Sequence, residues 1–428
     1  MEFRAVRGTR DFYPDQMRVR NWIVDAWRRV SVRNGFEEYD SPIFEYLDLY
    51  KAKSGEAIVS ELFSLTDRGG RELAIRPETT PALARMINAK INSLPRPIKW
   101  FSVSRCCRAE RPQKGRTREF FQWNVDVVGS DDVLADAECI FVCVDLLREL
   151  GLTPSDVQVR IGSRPLTMAA LKKLGITGDQ AEKALPVLDK RPKLDKEDFR
   201  KLAADAGLSE TQREEICEFQ DSPSVKAAGD FLTGDDGAAK HLKDLAVLMD
   251  NLTQMGVGEY CALDLRMVRG LAYYTGIVYE LFDTGQSLRA VGGGGRYDSL
   301  LEVLGGPSVG ATGFGMGDVV LGILLEEKGK LLALSQSPEF YVIDGDNGQM
   351  AEVMKVVGRL REAGRSAEFS YSRKSIGKQL KEANKRRATN AVIVREDRLA
   401  VKDLSTGNQN DMPIDDFLGE FCGGPDHS

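Results

Sequence analysis

Histidine is almost missing from this chain of 428 residues: only His241 and His427 occur. His427 is the penultimate residue and His241 lies in a polar, lysine-rich stretch, so a Ser-His-Asp or Cys-His nucleophile and a histidine-rich metal site are poor readings. Cysteine is sparse and wrongly spaced for ligation. The seven cysteines form no CxxC pair, and their odd number argues against a disulfide framework or a zinc knuckle. The first residues lack the apolar core of a signal peptide, and no run approaches the ~18 apolar residues of a membrane span. The best candidate, 139–147, is interrupted by Asp145. A soluble, cytoplasmic protein with no membrane partner is expected. There is no GxxxxGK[ST], hence no P-loop, and no GxGxxG opens a βαβ unit. An excess of one charge is missing too: 59 Lys and Arg against 65 Asp and Glu leave −6, which alone points away from nucleic acid.

What is present is a globular composition, 42% hydrophobic and 29% charged. At roughly 150 residues per domain the length suggests about three folding units. Val19, Trp22, Ile23, Ala26, Trp27 and Val30 recur at helical spacing, which predicts a helix over 17–33 closed by Asn34-Gly35. A strand around 36–39 follows. Thr80-Pro81 marks a helix start. A further helix over 133–150 carries Leu134, Ala137, Ile140, Phe141, Val144 and Leu147 on one stripe. The block from about 165 to 256 reads as polar helices without evident chemistry. Strand signals return over 263–282 and lead to Gly292-Gly293-Gly294-Gly295. After a short polar linker, strand and helix alternate at 340–343, 350–363, 367–371, 375–387 and 391–394. That spacing predicts a small α/β domain with a largely parallel sheet.

Two strands, 98–108 and 119–128, flank a charged loop. On the second, Phe121, Trp123, Val125 and Val127 share one face, and Gln122, Asn124 and Asp126 the other. On the first, Arg108 shares its face with Cys106, Ser104 and Ser102. Polar groups beside small residues describe a floor for a polar ligand, although an antiparallel sheet with one wet face gives the same pattern. Phe120 and Val128, at the ends of the polar face, favour the floor. The loop Arg111-Pro112-Gln113-Lys114-Gly115-Arg116-Thr117-Arg118 holds four cations and no acid. It is either a solvated tip or a grip for phosphates, which arginine binds bidentately. In Arg76-Pro77-Glu78-Thr79-Thr80-Pro81 the carboxylate either serves the helix dipole or receives an ammonium group. The segment 265–276 is rich in Arg and Tyr, and Gly313-Phe314-Gly315-Met316-Gly317 offers glycines for close backbone approach.

The charge is uneven. Residues 355–387 hold 11 Lys and Arg against 3 Asp and Glu, a local +8 that leaves −14 for the rest. Lys374, Lys378, Lys381 and Lys385 line one face of the 375–387 helix, with Ile376, Leu380 and Ala383 as its buried stripe. The lysine face is either solubilising or a surface for a phosphate backbone.

Taken in order, these segments resemble the histidyl-tRNA synthetases, a family of class II aminoacyl-tRNA synthetases, over essentially the whole length. The resemblance rests on Arg7-Gly8-Thr9-Arg10-Asp11-Phe12-Tyr13-Pro14, and on the helix and strand ending at Pro42, similar to the class II dimer-interface motif. It rests equally on Arg108-Ala109-Glu110-Arg111-Pro112-Gln113-Lys114-Gly115-Arg116 with Phe120 and Gln122, on Arg269-Gly270-Leu271-Ala272-Tyr273-Tyr274-Thr275-Gly276, and on the small C-terminal domain. It implies an α+β fold: an antiparallel-sheet catalytic domain (1–164 and 257–328), a helical insertion (165–256) and a C-terminal α/β anticodon-binding domain (336–428). The implied reaction is activation of L-histidine by ATP, with Mg2+ bound to the ATP, then transfer to tRNA(His) by a homodimer.

The resemblance also implies roles. Glu78, Thr79, Thr80 and Gln122 would surround the histidine α-amino group, and Asp126, Tyr273, Tyr274 and Tyr297 the imidazole. Arg108 and Arg269 would contact the reacting carboxylate and the α-phosphate. Glu110, Arg116, Arg118 and Phe120 would serve the rest of ATP. Gln113 and Arg116 would meet the extra 5′ guanosine of the tRNA, and Lys374, Lys378, Lys381 and Lys385 its anticodon region. No metal held by protein ligands alone is expected. Three positions depart from the family pattern: Ala272 stands for the usual Asp, Asp126 for a common Glu, and Val320 for the arginine that binds the γ-phosphate. No Lys or Arg lies within 311–326, so ATP binding is expected to lean on Arg116 and Arg118. Loss of that arginine also fits a second reading, a non-catalytic histidine-binding paralogue acting as a regulatory subunit in histidine biosynthesis. A third, a general RNA-binding protein, rests on the basic helix alone.

Overall fold

The computed structural model describes residues 3–54, 56–268, 273–285, 287–331, 337–346, 348–371 and 374–422. The chain divides into two compact units, Met1–Leu332 and Ala333–Ser428.

The larger unit is built on an eight-stranded sheet in the order Glu37–Glu38, Ile98–Cys107, Glu119–Val128, Ala311–Gly317, Gly292–Arg296, Ile277–Asp283, Val157–Ser163, Cys261–Leu263. Only the outermost pairings are parallel. The long hairpin pairs Ile98 with Val128 through to Cys107 with Glu119, which fixes its polar and apolar faces. Helices Pro14–Arg33 and Leu134–Glu149 cover the apolar face. The first starts with proline at its first position and ends at Asn34, with Gly35 at φ +77° turning the chain away. Its Trp27 stacks on Trp123 with centroids 6.1 Å apart, and Phe314 meets Trp123 edge-on at 4.9 Å. The buried Trp123 indole N–H donates to Ser31 Oγ at 2.9 Å, and that hydroxyl donates to the Trp27 carbonyl at 2.8 Å, so neither donor goes unpaired.

At the end of the glycine strand, Arg296 is buried and donates to Asp136 and to the carbonyls of Ser130 and Asp132. This ties the strand to the start of the Leu134–Glu149 helix. Between Arg164 and Gln254, the helices that follow Asp195, Ser209, Ser224 and Asp235 begin at side-chain caps. Asp195 accepts from the N–H groups of Glu197 and Asp198, and Ser209 and Gln212 cap each other. Their Leu166, Leu185, Leu245 and Leu252 share one core with Val157 and Ile161 of the sheet. The expected strand over 263–282 is broken: among the described residues, only Cys261–Leu263 and Ile277–Asp283 pair. Asp264 accepts the N–H of Arg266 at 3.1 Å, an Asx turn that ends the first strand. A small antiparallel sheet of Phe44–Tyr46, Glu72–Ile75 and Ser64–Thr66 completes the unit.

The smaller unit has a five-stranded sheet in the order Ala367–Phe369, Phe340–Asp344, Asn390–Val394, Leu399–Asp403, Gln409–Met412, with helices Met350–Glu362, Ile376–Lys385 and Ile414–Cys422. The expectation of a largely parallel sheet is half right. The first three strands are parallel, but the last two pair antiparallel, because the turns joining them are too short for a crossover. Phe340 packs edge-on against Phe417 and Phe421 in its core.

Candidate active site

The polar face of the hairpin opens into a cavity of about 320 Å³. Phe120, Gln122, Asn124 and Asp126 line it from the Glu119–Val128 strand. The neighbouring strand answers them with backbone. Gly313, Gly315 and Gly317 stand opposite Asp126, Asn124 and Gln122, while Phe314 and Met316 turn to the core. A Cβ on Gly313 would lie 2.3 Å from Asp126 Oδ1, and one on Gly315 2.7 Å from Gln122 Nε2. The polar side chains therefore lie across the bare strand, and the alternating glycines make that possible. Of the face expected on the first hairpin strand, Arg108 lines the cavity but Ser102, Ser104 and Cys106 do not. Ser102 and Ser104 are buried, donating to Thr79 (3.4 Å) and Asp40 (3.1 Å), so the segments at Thr79 and Asp40 roof them.

One end of the cavity gathers Glu78, Thr80, Gln122, Asp126, Tyr273, Tyr274 and Tyr297. Tyr297 donates a short hydrogen bond to Asp126 Oδ1, while Oδ2 is buried with no partner among the described residues. Burial raises the Asp126 carboxyl to about 7, against the Tyr297 bond and the charge of Lys53, which lower it. Glu78 differs. Burial pushes its carboxyl up, yet Lys53 and Arg108 outweigh that and hold it below its ordinary value. Lys53 Nζ sits 2.7 Å from Glu78 Oε1 and 4.0 Å from the centre of the Tyr273 ring. Thr79 is fully buried behind this end and does not line it.

The other end is cationic. Arg108, Arg116 and Arg289 line it with Glu110, Glu280, Gly115 and Val320. Arg108 Nε donates to the Pro77 carbonyl at 3.1 Å, and its guanidinium lies 5.0 Å from the Phe120 ring centre. Arg116 Nε pairs with Glu110 at 2.8 Å. Of the four loop cations, only Arg116 lines the cavity. Arg118 donates through Nε to the Glu110 carbonyl at 3.3 Å and through its backbone to Gly8, whose segment buttresses the loop. Lys114 pairs with Glu327 at 3.2 Å, and Gln113 is exposed at the tip, where Gly115 at φ +74° closes the turn. Arg269 and Ala272 lie outside the described residues.

In the smaller unit, Lys378, Lys381 and Lys385 are exposed on one helix. Lys374 precedes that helix and pairs with Glu382 at 3.2 Å, so it does not extend the face as expected. His241 lines a second cavity, of about 300 Å³, that shares no lining residue with the first.

Sequence reasoning missed Lys53, Glu280 and Arg289. Lys53 carries no local signal. Arg289 stands three residues before the glycine strand, and only a search for cations beyond the 311–326 segment would have found it.

Residues 8–317 match the family model described as histidyl-tRNA synthetase, and residues 339–421 that of an anticodon binding domain. A histidine–tRNA ligase of Opitutus terrae is 40% identical over 419 residues, 96% of either chain. One of Haloarcula marismortui is 39% identical over 428 residues, 98% of either. Among solved structures, the histidyl-tRNA synthetase from Nostoc sp. PCC 7120 shares the fold with a TM-score of 0.84 at 24% identity, covering 98% of this chain and 99% of that one.

Proposed function

Because the chain belongs to the histidyl-tRNA synthetase family, we propose that it is a histidine–tRNA ligase that forms histidyl-adenylate from L-histidine and ATP and passes histidine to the 3′ end of tRNA(His). The observation that carries this reading is the two-ended cavity: Glu78, Asp126 and the tyrosines at one end, guanidinium groups with Glu110 and Glu280 at the other. The unpartnered Asp126 Oδ2 suits an imidazole N–H, and Glu78, now paired with Lys53, suits an α-ammonium. The amino acid would lie along Gln122 and Thr80, its carboxylate toward Arg108. A carboxylate oxygen attacks the α-phosphorus, the bond to the β-phosphate oxygen breaks, and pyrophosphate leaves. The terminal ribose hydroxyl of the tRNA then attacks the acyl carbon and AMP departs. Positioning and fixed cations carry such a step, so no general-base histidine is needed.

Arg108, with Arg269, would hold the carboxylate and α-phosphate; Phe120, Glu110 and Arg116 would hold the remainder of ATP. No group of three or more potential metal ligands occurs among the described residues. Glu110 and Glu280 on the cavity wall do fit a Mg2+ that keeps its waters and is bound chiefly by phosphates. That ion would neutralise charge on the outer phosphates. Gln113 at the loop tip would meet the tRNA 5′ end, and the exposed lysines of the Ile376–Lys385 helix its anticodon region. The same reading treats 1–164 with 257–328 as the catalytic core, 165–256 as its helical insertion and 336–428 as the anticodon-binding domain of a cytoplasmic homodimer. A regulatory paralogue would need only the histidine end, so the guanidinium end speaks for the enzyme. Histidine-dependent exchange of pyrophosphate into ATP tests the reading; a folded protein without exchange overturns it.

A further inference from the structure

Val320 faces the cavity in the first turn of the Asp318–Glu327 helix, where the γ-phosphate arginine is otherwise expected. It is 8% exposed, and its Cγ2 lies 3.3 Å from where a Gly115 Cβ would be. The wall nevertheless holds a cation from elsewhere. Arg289 enters from the connection between Ile277–Asp283 and Gly292–Arg296. That connection is held in place: buried Asp283 accepts from the N–H groups of Ser287 (2.9 Å) and Leu288 (3.1 Å), and Val291 N–H donates to Leu281 at 2.8 Å.

Three guanidinium groups thus line one end of the cavity, and their commitments differ. Arg108 is held by Pro77 and Arg116 by Glu110. Arg289 has no ion pair or hydrogen bond among the described residues. Partial desolvation at the cavity wall and the charges of Arg116 and Arg108 lower its pKa although the residue is exposed, while Glu110 and Glu280 pull it back only by charge. Arg289 is exposed on the cavity wall, so an anion can reach its guanidinium without displacing a carboxylate from it. We infer that Arg289 grips the outer phosphates of the bound nucleoside triphosphate, supplying from the 284–291 connection the contact that position 320 does not make.

This inference rests on the synthetase reading, and its test separates the two. In the full chain, Arg289→Gln is expected to weaken ATP binding about 10- to 100-fold, the worth of a charge-assisted hydrogen bond. AMP binding and the KM for histidine should stay unchanged, because neither ligand carries outer phosphates. Restoring a guanidinium at position 320, in Arg289→Gln with Val320→Arg, should recover ATP affinity. Should Arg289→Gln fail to fold, Arg289→Lys, which keeps charge but loses the planar fork, reads the same ATP-over-AMP ratio. Unchanged ATP affinity, or an equal loss for ATP and AMP, overturns the inference. Absence of histidine-dependent exchange in the unaltered protein instead overturns the synthetase reading, while the ATP-over-AMP ratio still reports the phosphate contact.

Discussion

Asp126 titrates close to where an incoming imidazole does. Its carboxyl is raised to about 7 by burial, and free imidazole has a pKa of about 6.5. Below neutrality Asp126 holds a proton and the ligand is imidazolium, so the acceptor is lost just as the ligand acquires a second N–H. The KM for histidine is therefore expected to rise as pH falls from 7.5 to 6. Asp126→Asn should raise KM throughout and flatten the profile to the ligand's own titration, as steady-state exchange across that range will report. The same shift bears on stability. Between its ordinary 3.8 and about 7 the folded chain keeps a proton that the unfolded chain releases. This carboxyl thus favours the fold fully below about 3.8 and loses that contribution as pH climbs through 7. Lys53 occupies Glu78 where a substrate ammonium is proposed to bind. Removing it as Lys53→Ala leaves the carboxylate without its partner and should cost about 1–3 kcal/mol. Histidine at 100 times its Kd should then restore stability by about 2.7 kcal/mol, a recovery in Tm that thermal melts can follow.

At the level of elements, the Ala311–Gly317 strand is the most constrained piece of the site. Gly313→Ala would set a methyl 2.3 Å from Asp126 Oδ1 and 2.6 Å from the Val125 carbonyl, and the latter is backbone that cannot step aside. Overpacking of this kind costs about 1–3 kcal/mol, so denaturant melts should move and the KM for histidine should rise with them. The hairpin was legible in the sequence because a period of two separates Trp123, Val125 and Val127 from Gln122, Asn124 and Asp126, and sheet pairing preserves that separation. The Pro14–Arg33 helix was legible for the same kind of reason, its stripe closing at Asn34-Gly35. Contacts made across elements were not. Ser102 and Ser104 have the same alternation as the floor but are roofed by the segments at Thr79 and Asp40, and Arg289 reaches the cavity from a connection 31 residues before Val320. Lys374 kept helical spacing on paper, yet the helix begins two residues later.

For the whole molecule, net charge is a poor guide, since the −6 total averages over the basic 355–387 segment. Replacing exposed Lys378, Lys381 and Lys385 together by Glu in the full chain should leave pyrophosphate exchange intact. Aminoacylation should weaken and its dependence on salt become shallower, because fewer phosphates would be neutralised. An equal loss of both reactions would count against the lysine face. The larger unit poses the opposite problem, for its active parts cannot be taken singly. Polar side chains of residues 122–126 lie over the bare backbone of residues 313–317, so two stretches almost two hundred positions apart share one layer of atoms. In recombination between relatives, these stretches must therefore be inherited together. A chimera whose junction falls between them inherits a floor from one parent and the clearance for it from the other, and is viable only where both parents agree on every residue of that layer.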